Sequence, residues 1–316
     1  MVIFIVYIML LSFSVDCFSL ELYRYQDSEG QWVFGDKKSF SGKSLNIPLD
    51  VEKITIVDDR KIHAKPSMLL MKKDKASFNR SWLLKNPLPV MVQHWLAIKG
   101  QAGFIKSVLA QPYEEIELSA DDINLDSLPE AGASKRNIKL DHYYLLGKPI
   151  QTPKHALISP PFGKNKRFRI SQGFDGNYSH TGRGNRFSVD IAMPVGEFVR
   201  AVKPGIVADG RDDFSIGGAA NYFLDKANHV TIMHDDGSYG IYAHILYGSM
   251  AVAIGEQIHI GQVLARIGNT GFSTGPHLHF VLRYNSGKGA FSIPFKFKTK
   301  RGNRVPKQGD YYSGTF

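Results

Sequence analysis

The sequence predicts a mainly β protein, and three features carry that expectation. Glycine is unevenly spread, with seven before residue 150 and twenty-three after it, as tight turns between short strands require. Short segments such as "RFRISQGF", "RFSVDIAM", "HVTIMHDD", "SYGIYAHI", "EQIHIGQVLARIG" and "HLHFVLRY" read as strands bounded by turn residues. Long helical periodicity is absent from this second half, so a hairpin-built domain is expected over residues 155–316.

Taken in order, the chain of 316 residues divides into four expected parts. Residues 1–18 read as a signal peptide: "MVIFIVYIMLLSF" is apolar and then gives way to small and polar residues. That run is short of the roughly 20 apolar residues a bilayer span needs. No Lys or Arg precedes it, which keeps a retained membrane anchor as the alternative. "SVD" before Cys17 does not form a lipoprotein processing site.

Residues 19–60 read as a small β-hairpin module, with "ELYRYQDSEGQWVFGD" forming two strands about a Glu-Gly turn. The stretch "LYRYQDSEGQWVFGD" resembles a short domain found at the N-terminus of bacterial envelope proteins. Residues 65–150 read as a β-sandwich-like module, where two apolar runs in "SWLLKNPLPVMVQHWLAI" flank an Asn-Pro turn and the acidic "EEIELSADDINLD" follows.

Cys17 is the only cysteine, so removal of the leader would leave no thiol, no disulfide and no sulfur ligand. Any metal would then be held by His, Asp or Glu. The formal charge of +10, concentrated in "GKNKRFR" and "PFKFKTKRGNRVPK", points to an acidic environment: nucleic acid, anionic lipid or an anionic wall polymer. A secretory leader argues against nucleic acid, and no aromatic-rich nucleic-acid motif accompanies the basic runs. A solvated face and a substrate-steering face both satisfy this pattern.

The candidate chemistry lies in histidines and one aspartate. In "GPHLHF", His277 and His279 project to the same side of a strand about 7 Å apart, with Leu278 and Phe280 on the apolar side. The pair alone is as consistent with a structural role as with metal binding. In "NRFSVDIAMPVG", Phe187, Val189 and Ile191 alternate with Ser188, Asp190 and Ala192, which puts Asp190 on the polar face. "NYSH" supplies His180 ten residues earlier, and "SYGIYAHI" ends on His244 just before Ile245. Two imidazoles and a carboxylate make a tetrahedral zinc site when the fourth position is left to water, the pattern of a catalytic centre. Zinc lowers the pKa of bound water, and a nearby imidazole can take its proton or steady an oxyanion.

Across residues 155–297, "SHTGRGNRFSVDIAMPVGEFVRAVKPGIV", "NHVTIMHDDGSYGIYAHI" and "IGQVLARIGNTGFSTGPHLHF" resemble, in order, the motif blocks of the lysostaphin/LytM-type zinc metallopeptidases. The resemblance implies an antiparallel β-sheet groove with one Zn2+ per chain, cleaving amide bonds in peptidoglycan peptides in the periplasm or outside the cell. It implies His180, Asp190 and His279 as metal ligands and His244 and His277 as catalytic, non-ligand histidines.

One departure stands out. The common family pattern has three residues between the first His and the Asp, whereas nine separate His180 from Asp190, and Arg186 occupies the usual His position. Arginine does not ligate zinc, and His229 or His234 would be the substitutes for His180. His63, His94, His142, His155 and His259 lack such context and read as surface or packing residues. Gly271 and Gly275 are expected to shape the turn before the H-x-H strand.

The partner expected is peptidoglycan peptide, with no nucleic acid and with membrane contact only through the leader; the oligomeric state is open. Two other function classes share parts of the pattern. A non-catalytic wall-binding or hydrolase-activating module would be marked by a broken ligand set, and a protease of ordinary proteins would separate only by its substrate.

Overall fold

The computed structural model describes the strands Ser19–Gln26, Trp32–Gly35 and Glu52–Val57, then residues 68–73, 80–99, 103–119, 121–123, 140–151, 153 and 156–316. The expected leader, His63 and His155 lie outside the described residues. Among the described residues no helix is long and apolar enough to cross a membrane. The structure there is strands, turns and loops with a short 3₁₀ turn at Asn221–Phe223. The chain divides into two compact units, Met1–Ala64 and Lys65–Phe316.

In the first unit the expected hairpin forms, with Gln26 opposite Trp32, and Glu52–Val57 adds to the free edge of Ser19–Gln26. The second unit opens with two three-stranded antiparallel sheets. One holds Leu69–Lys73, Arg80–Lys85 and Glu115–Ser119, the other Lys106–Ala110, Val92–Ile98 and Leu140–Leu146. Trp82, Leu84 and Leu118 from the first meet Leu96 and Ile98 from the second in one core. The Asn-Pro turn is fixed by Asn86, whose buried side-chain amide donates to the carbonyls of Val90 (2.8 Å) and Gln111 (2.6 Å).

A larger sheet follows. Its strand order is Gln257–Ile258, Gly205–Arg211, His229–Met233, Ser238–Ala243, Leu278–Asn285, Val189–Ala192, Arg167–Gln172 and Tyr311–Ser313, with Ala290–Ser292 pairing to Leu278–Asn285. Every pairing in it is antiparallel. Period-2 alternation sorts the two faces. Ile170, Val189, Ile191, Val230, Ile232, Tyr242, Phe280 and Leu282 enter one buried core, where the Tyr242 hydroxyl accepts the Val202 N–H at 2.9 Å. On the other face a single row crosses five strands in register: His229, Ala243, His279, Asp190 and Gln172.

Two sequence expectations are modified. "EQIHIGQVLARIG" is not one strand: Gln257–Ile258 and Val263–Arg266 are separated by a turn through Gly261 at φ +82° and pair with different partners. The strand within "RFSVDIAM" is only Val189–Ala192, and Phe187 lies ahead of it, half-buried edge-on to Phe174.

Candidate metal centre

Asp190 is the hub of the site. Its Oδ1 lies 3.1 Å from His180 Nε2, 2.8 Å from His279 Nδ1 and 3.7 Å from His277 Nε2. Asp190 and His279 face each other directly across neighbouring strands, so strand pairing alone delivers two of the three groups. His180 arrives from the preceding loop, and its Nδ1 donates to the Gly173 carbonyl at 2.7 Å, which leaves Nε2 toward the carboxylate. One donor atom from each of His180, Asp190 and His279 falls within 4.8 Å of the others. Burial works to raise the Asp190 carboxyl, but hydrogen bonds from His180 and His279 outweigh it and hold the group far below the ordinary carboxylate range.

The other two expected histidines stand beside this cluster. His244 and His277 have ring centroids 4.5 Å apart, and His244 lies 6.0 Å from His279. His244 Nδ1 donates to Thr270 O at 2.7 Å, and His277 Nδ1 to Gly275 O at 2.8 Å. A carbonyl can only accept, so in the neutral rings each Nε2 carries a lone pair. Burial, followed by the neighbouring His277 and His279, pushes His244 down to about 3. His244 sits one residue past its strand at φ 66°, in the left-handed region. For a non-glycine residue this is a strained geometry of the kind that clusters at functional sites.

All five expected residues thus converge. Arg186 does not: its side chain is exposed, pairs with Asp175 at 2.6 Å and lies over the Phe187 ring. His229 pairs with Asp209 at 3.3 Å, and His234 is buried with Nδ1 on Pro204 O at 2.6 Å; neither belongs to the three-donor group. Gly271 is held to glycine by φ +77° and by Ala227, whose Cα would stand 2.5 Å from a Cβ placed there. Gly275 needs no such freedom, since a Cβ there meets nothing within 4 Å, and it serves the turn through its carbonyl.

Sequence reasoning passed over two participants. Gln172, opposite Asp190 beyond a bulge after Ile170, donates through Nε2 to Asp190 Oδ2 (3.0 Å) and Ser179 Oγ (2.7 Å) and accepts from Tyr178 N through Oε1 (3.3 Å). A bulge re-aims one side chain and leaves no trace in alternation. The second is a stretch of the upstream module, a module expected to position or occlude the groove but without residues assigned to that role. The cluster opens into a groove of about 1050 Å³, whose walls include Tyr144, Leu145 and Leu146 as well as Tyr178, Phe272 and Arg283. The module is anchored there by Asn285, which donates to Gln93 Oε1 and Gly147 O, both at 2.9 Å.

Residues 184–290 match the family described as Peptidase family M23. This part of the chain is similar to the M23 peptidases of the lysostaphin/LytM type. The matched stretch begins after His180, so that residue's membership of the site rests on geometry. Among similar proteins, an uncharacterized metalloprotease of Buchnera aphidicola is 29% identical over 133 residues, covering 40% of this chain and 32% of that one. Glycyl-glycine endopeptidase ALE-1 of Staphylococcus capitis is 34% identical over 104 residues, covering 33% and 26%. The DD-carboxypeptidase/endopeptidase Mpg of Neisseria meningitidis is 34% identical over 137 residues, covering 43% and 26%. The chain therefore spans about a quarter to a third of the length of these relatives.

Proposed function

We propose that the chain is a zinc-dependent endopeptidase of the cell envelope, periplasmic or extracellular, that hydrolyses amide bonds in peptidoglycan peptide cross-links. The observation that carries the reading is the convergence of His180, Asp190 and His279 with His244 and His277 in one open groove. It is supported by relatives named as peptidases that act on glycyl-glycine bonds or as DD-carboxypeptidase/endopeptidases.

The donor set fits zinc: two imidazoles and a carboxylate, no thiol, and His180 oriented by a carbonyl behind it. Zinc held by His180, Asp190 and His279 supplies Lewis acidity and brings the pKa of water toward neutrality. The protein's own groups do the rest. His277 and His244, with Nδ1 tied to backbone carbonyls, present Nε2 for taking a proton from the attacking water, for returning it to the leaving amine, and in the protonated form for hydrogen-bonding the oxyanion. Gln172 holds the second oxygen of Asp190. Tyr178 and Phe272, stacked at 6.1 Å on the groove wall, exclude water from one side of a bound peptide.

The test is digestion of purified sacculi by the full chain, with and without chelator, followed by identification of the released fragments. Chelator-sensitive release of new amino and carboxyl termini in the peptide part is expected. Undigested sacculi in the presence of zinc would overturn the reading.

A further inference from the structure

The two basic runs, more than a hundred residues apart in the chain, meet in the fold. Arg167–Gln172 pairs with Tyr311–Ser313, the strand that follows the basic C-terminal loop. Register decides which way the arginines point. Arg169 is opposite Ala192, and Ala192 shares its strand face with Asp190 two residues before it. Arg169, and Arg167 two residues earlier, therefore project from the same face of the sheet as Asp190 and His279. Ile170 and Phe168, between and beside them, turn toward the core. Strand spacing puts the Arg169 backbone about 8 Å from that of Asp190 and Arg167 about 14 Å away.

Both arginines are exposed, and neither makes an ion pair with a carboxylate among the described residues. Arg167 lies over the Tyr311 ring, 4.9 Å from its centroid, which leaves the edge of its guanidinium free to donate. The C-terminal loop closes the gap to the groove. Pro306, Lys307 and Gln308 pass directly against Gly173, and Gln308 lines the groove itself. Lys307 is exposed at that junction. The acids around it are engaged elsewhere: Glu197 with Lys166 at 2.7 Å, Asp175 with Arg186 at 2.6 Å, Asp190 within the histidine cluster, and half-buried Asp310 with the Tyr312 hydroxyl at 3.3 Å.

We infer that Arg167, Arg169 and Lys307 form a cationic extension of the groove that binds carboxylates of the peptide substrate on one side of the bond to be cut. This deepens the peptidoglycan reading and rests on it: the ligand is a peptide segment bearing free carboxylates, recognised by guanidinium forks rather than by shape. Charges this exposed act chiefly on encounter and ground-state binding, so they govern KM and salt dependence more than the chemical step.

The test uses the full chain with zinc loaded and a pair of synthetic cross-linked wall peptides, one with free carboxylates and one with the same carboxylates amidated. The triple variant Arg167→Gln, Arg169→Gln, Lys307→Gln is expected to keep zinc content and thermal midpoint. On the free-carboxylate peptide, KM at low salt should rise about tenfold or more with kcat within about twofold, a gap that closes as ionic strength rises. On the amidated peptide the variant and the parent should be alike. A charge-keeping variant, Arg167→Lys with Arg169→Lys, should recover most of the binding. Equal KM for parent and variant on the free-carboxylate peptide, or an equal defect on both peptides, would overturn the extension while leaving the peptidase reading intact. Absence of cleavage of either peptide by the parent would count against the peptidase reading instead. In that case sedimentation of the parent and the triple variant with sacculi decides the extension: equal retention overturns it. Selective capture of the parent by anionic phospholipid vesicles but not by sacculi would also overturn it, assigning the surface to a membrane.

Discussion

Replacing Gln172 by alanine should weaken the metal centre without touching a ligand. The side chain makes two donor contacts, 3.0 Å to Asp190 Oδ2 and 2.7 Å to Ser179 Oγ, and accepts the Tyr178 amide. The first is a hydrogen bond to an ionised group, worth about 1.5–3 kcal/mol. At 1.4 kcal/mol per decade this is roughly a tenfold to hundredfold loss, the range found for partners behind metal ligands. The fold offers an independent route to the same defect. A Cβ at Gly176 would stand 2.3 Å from Gln172 Cγ and 2.7 Å from Cδ, so Gly176→Ala must push the carboxamide off Asp190 while every ligand stays in the chain. Zinc affinity is read by competition with a chromophoric chelator, and turnover on a wall peptide at saturating zinc. Gln172→Ala and Gly176→Ala should both shift zinc affinity by at least about tenfold, with thermal midpoints of the metal-free proteins close to the parent. Gly275→Ala, where nothing lies within 4 Å, is the control. If Gln172→Ala bound zinc as tightly as the parent and turned over normally, the positioning role argued from these distances would be wrong.

Other outcomes follow from the same geometry. His180→Ala should abolish stoichiometric zinc while Arg186→Ala leaves it intact; zinc retained by the former would redirect attention to His229 or His234. His277→Ala and His244→Ala should each keep zinc near one per chain yet lose at least about a hundredfold in turnover, and full activity in both would sink their assignment. Burial, then Lys203, pushes His234 down to about 4, against about 6.5 in the unfolded chain. Because the unfolded state binds the extra proton, stability should fall as pH drops from about 6.5 toward 4, by up to about 1.4 kcal/mol per pH unit for this group. Urea titrations of His234→Gln should show a shallower acid limb, and an unchanged limb would exclude the histidine as its source. Sequencing the N-terminus of protein recovered from the envelope should give a start near residue 19 or 20, and an intact Met1 in the membrane fraction would favour the anchor.

What could be read in advance was whatever period 2 encodes. Asp190 and His279 sit on polar positions of strands whose alternate residues, Val189, Ile191, Leu278 and Phe280, are fully buried, and that pattern is visible in one dimension. Gln172 was not legible, because the bulge after Ile170 shifts it onto the Asp190 side and breaks the alternation that would have pointed to it. Nor were Tyr144 to Leu146 as groove walls, since their contact with the larger sheet joins positions about 140 residues apart. His94 and His142, read as surface or packing residues, are stacked on each other at 5.1 Å and joined by a 2.8 Å hydrogen bond. Strand pairing between Val92–Ile98 and Leu140–Leu146 makes that pair, and the sequence separation of the two strands hides it.

The long spacing between His180 and Asp190 loses its difficulty once the loop between them is followed atom by atom. His180 is set by its own turn, N–H to Gly176 O at 3.0 Å, and by its ring on Gly173. The residues after it fold back on themselves, with Asn185 and Arg186 N–H both on Gly182 O and Ser188 N–H on Asn185 O. Arg283 fixes the crest of this loop through Gly184 O at 2.6 Å and the Asn185 side chain, and the Arg186 carbonyl closes its base on Asp175 N at 2.8 Å. The added residues are thereby taken up as a closed excursion, and its two ends return His180 Nε2 to within 3.1 Å of Asp190 Oδ1. Arg186 is turned outward to Asp175 and closes that excursion. The loop thus brings residue 180, and not residue 186, to the carboxylate, and leaves the carboxylate itself in register with His279.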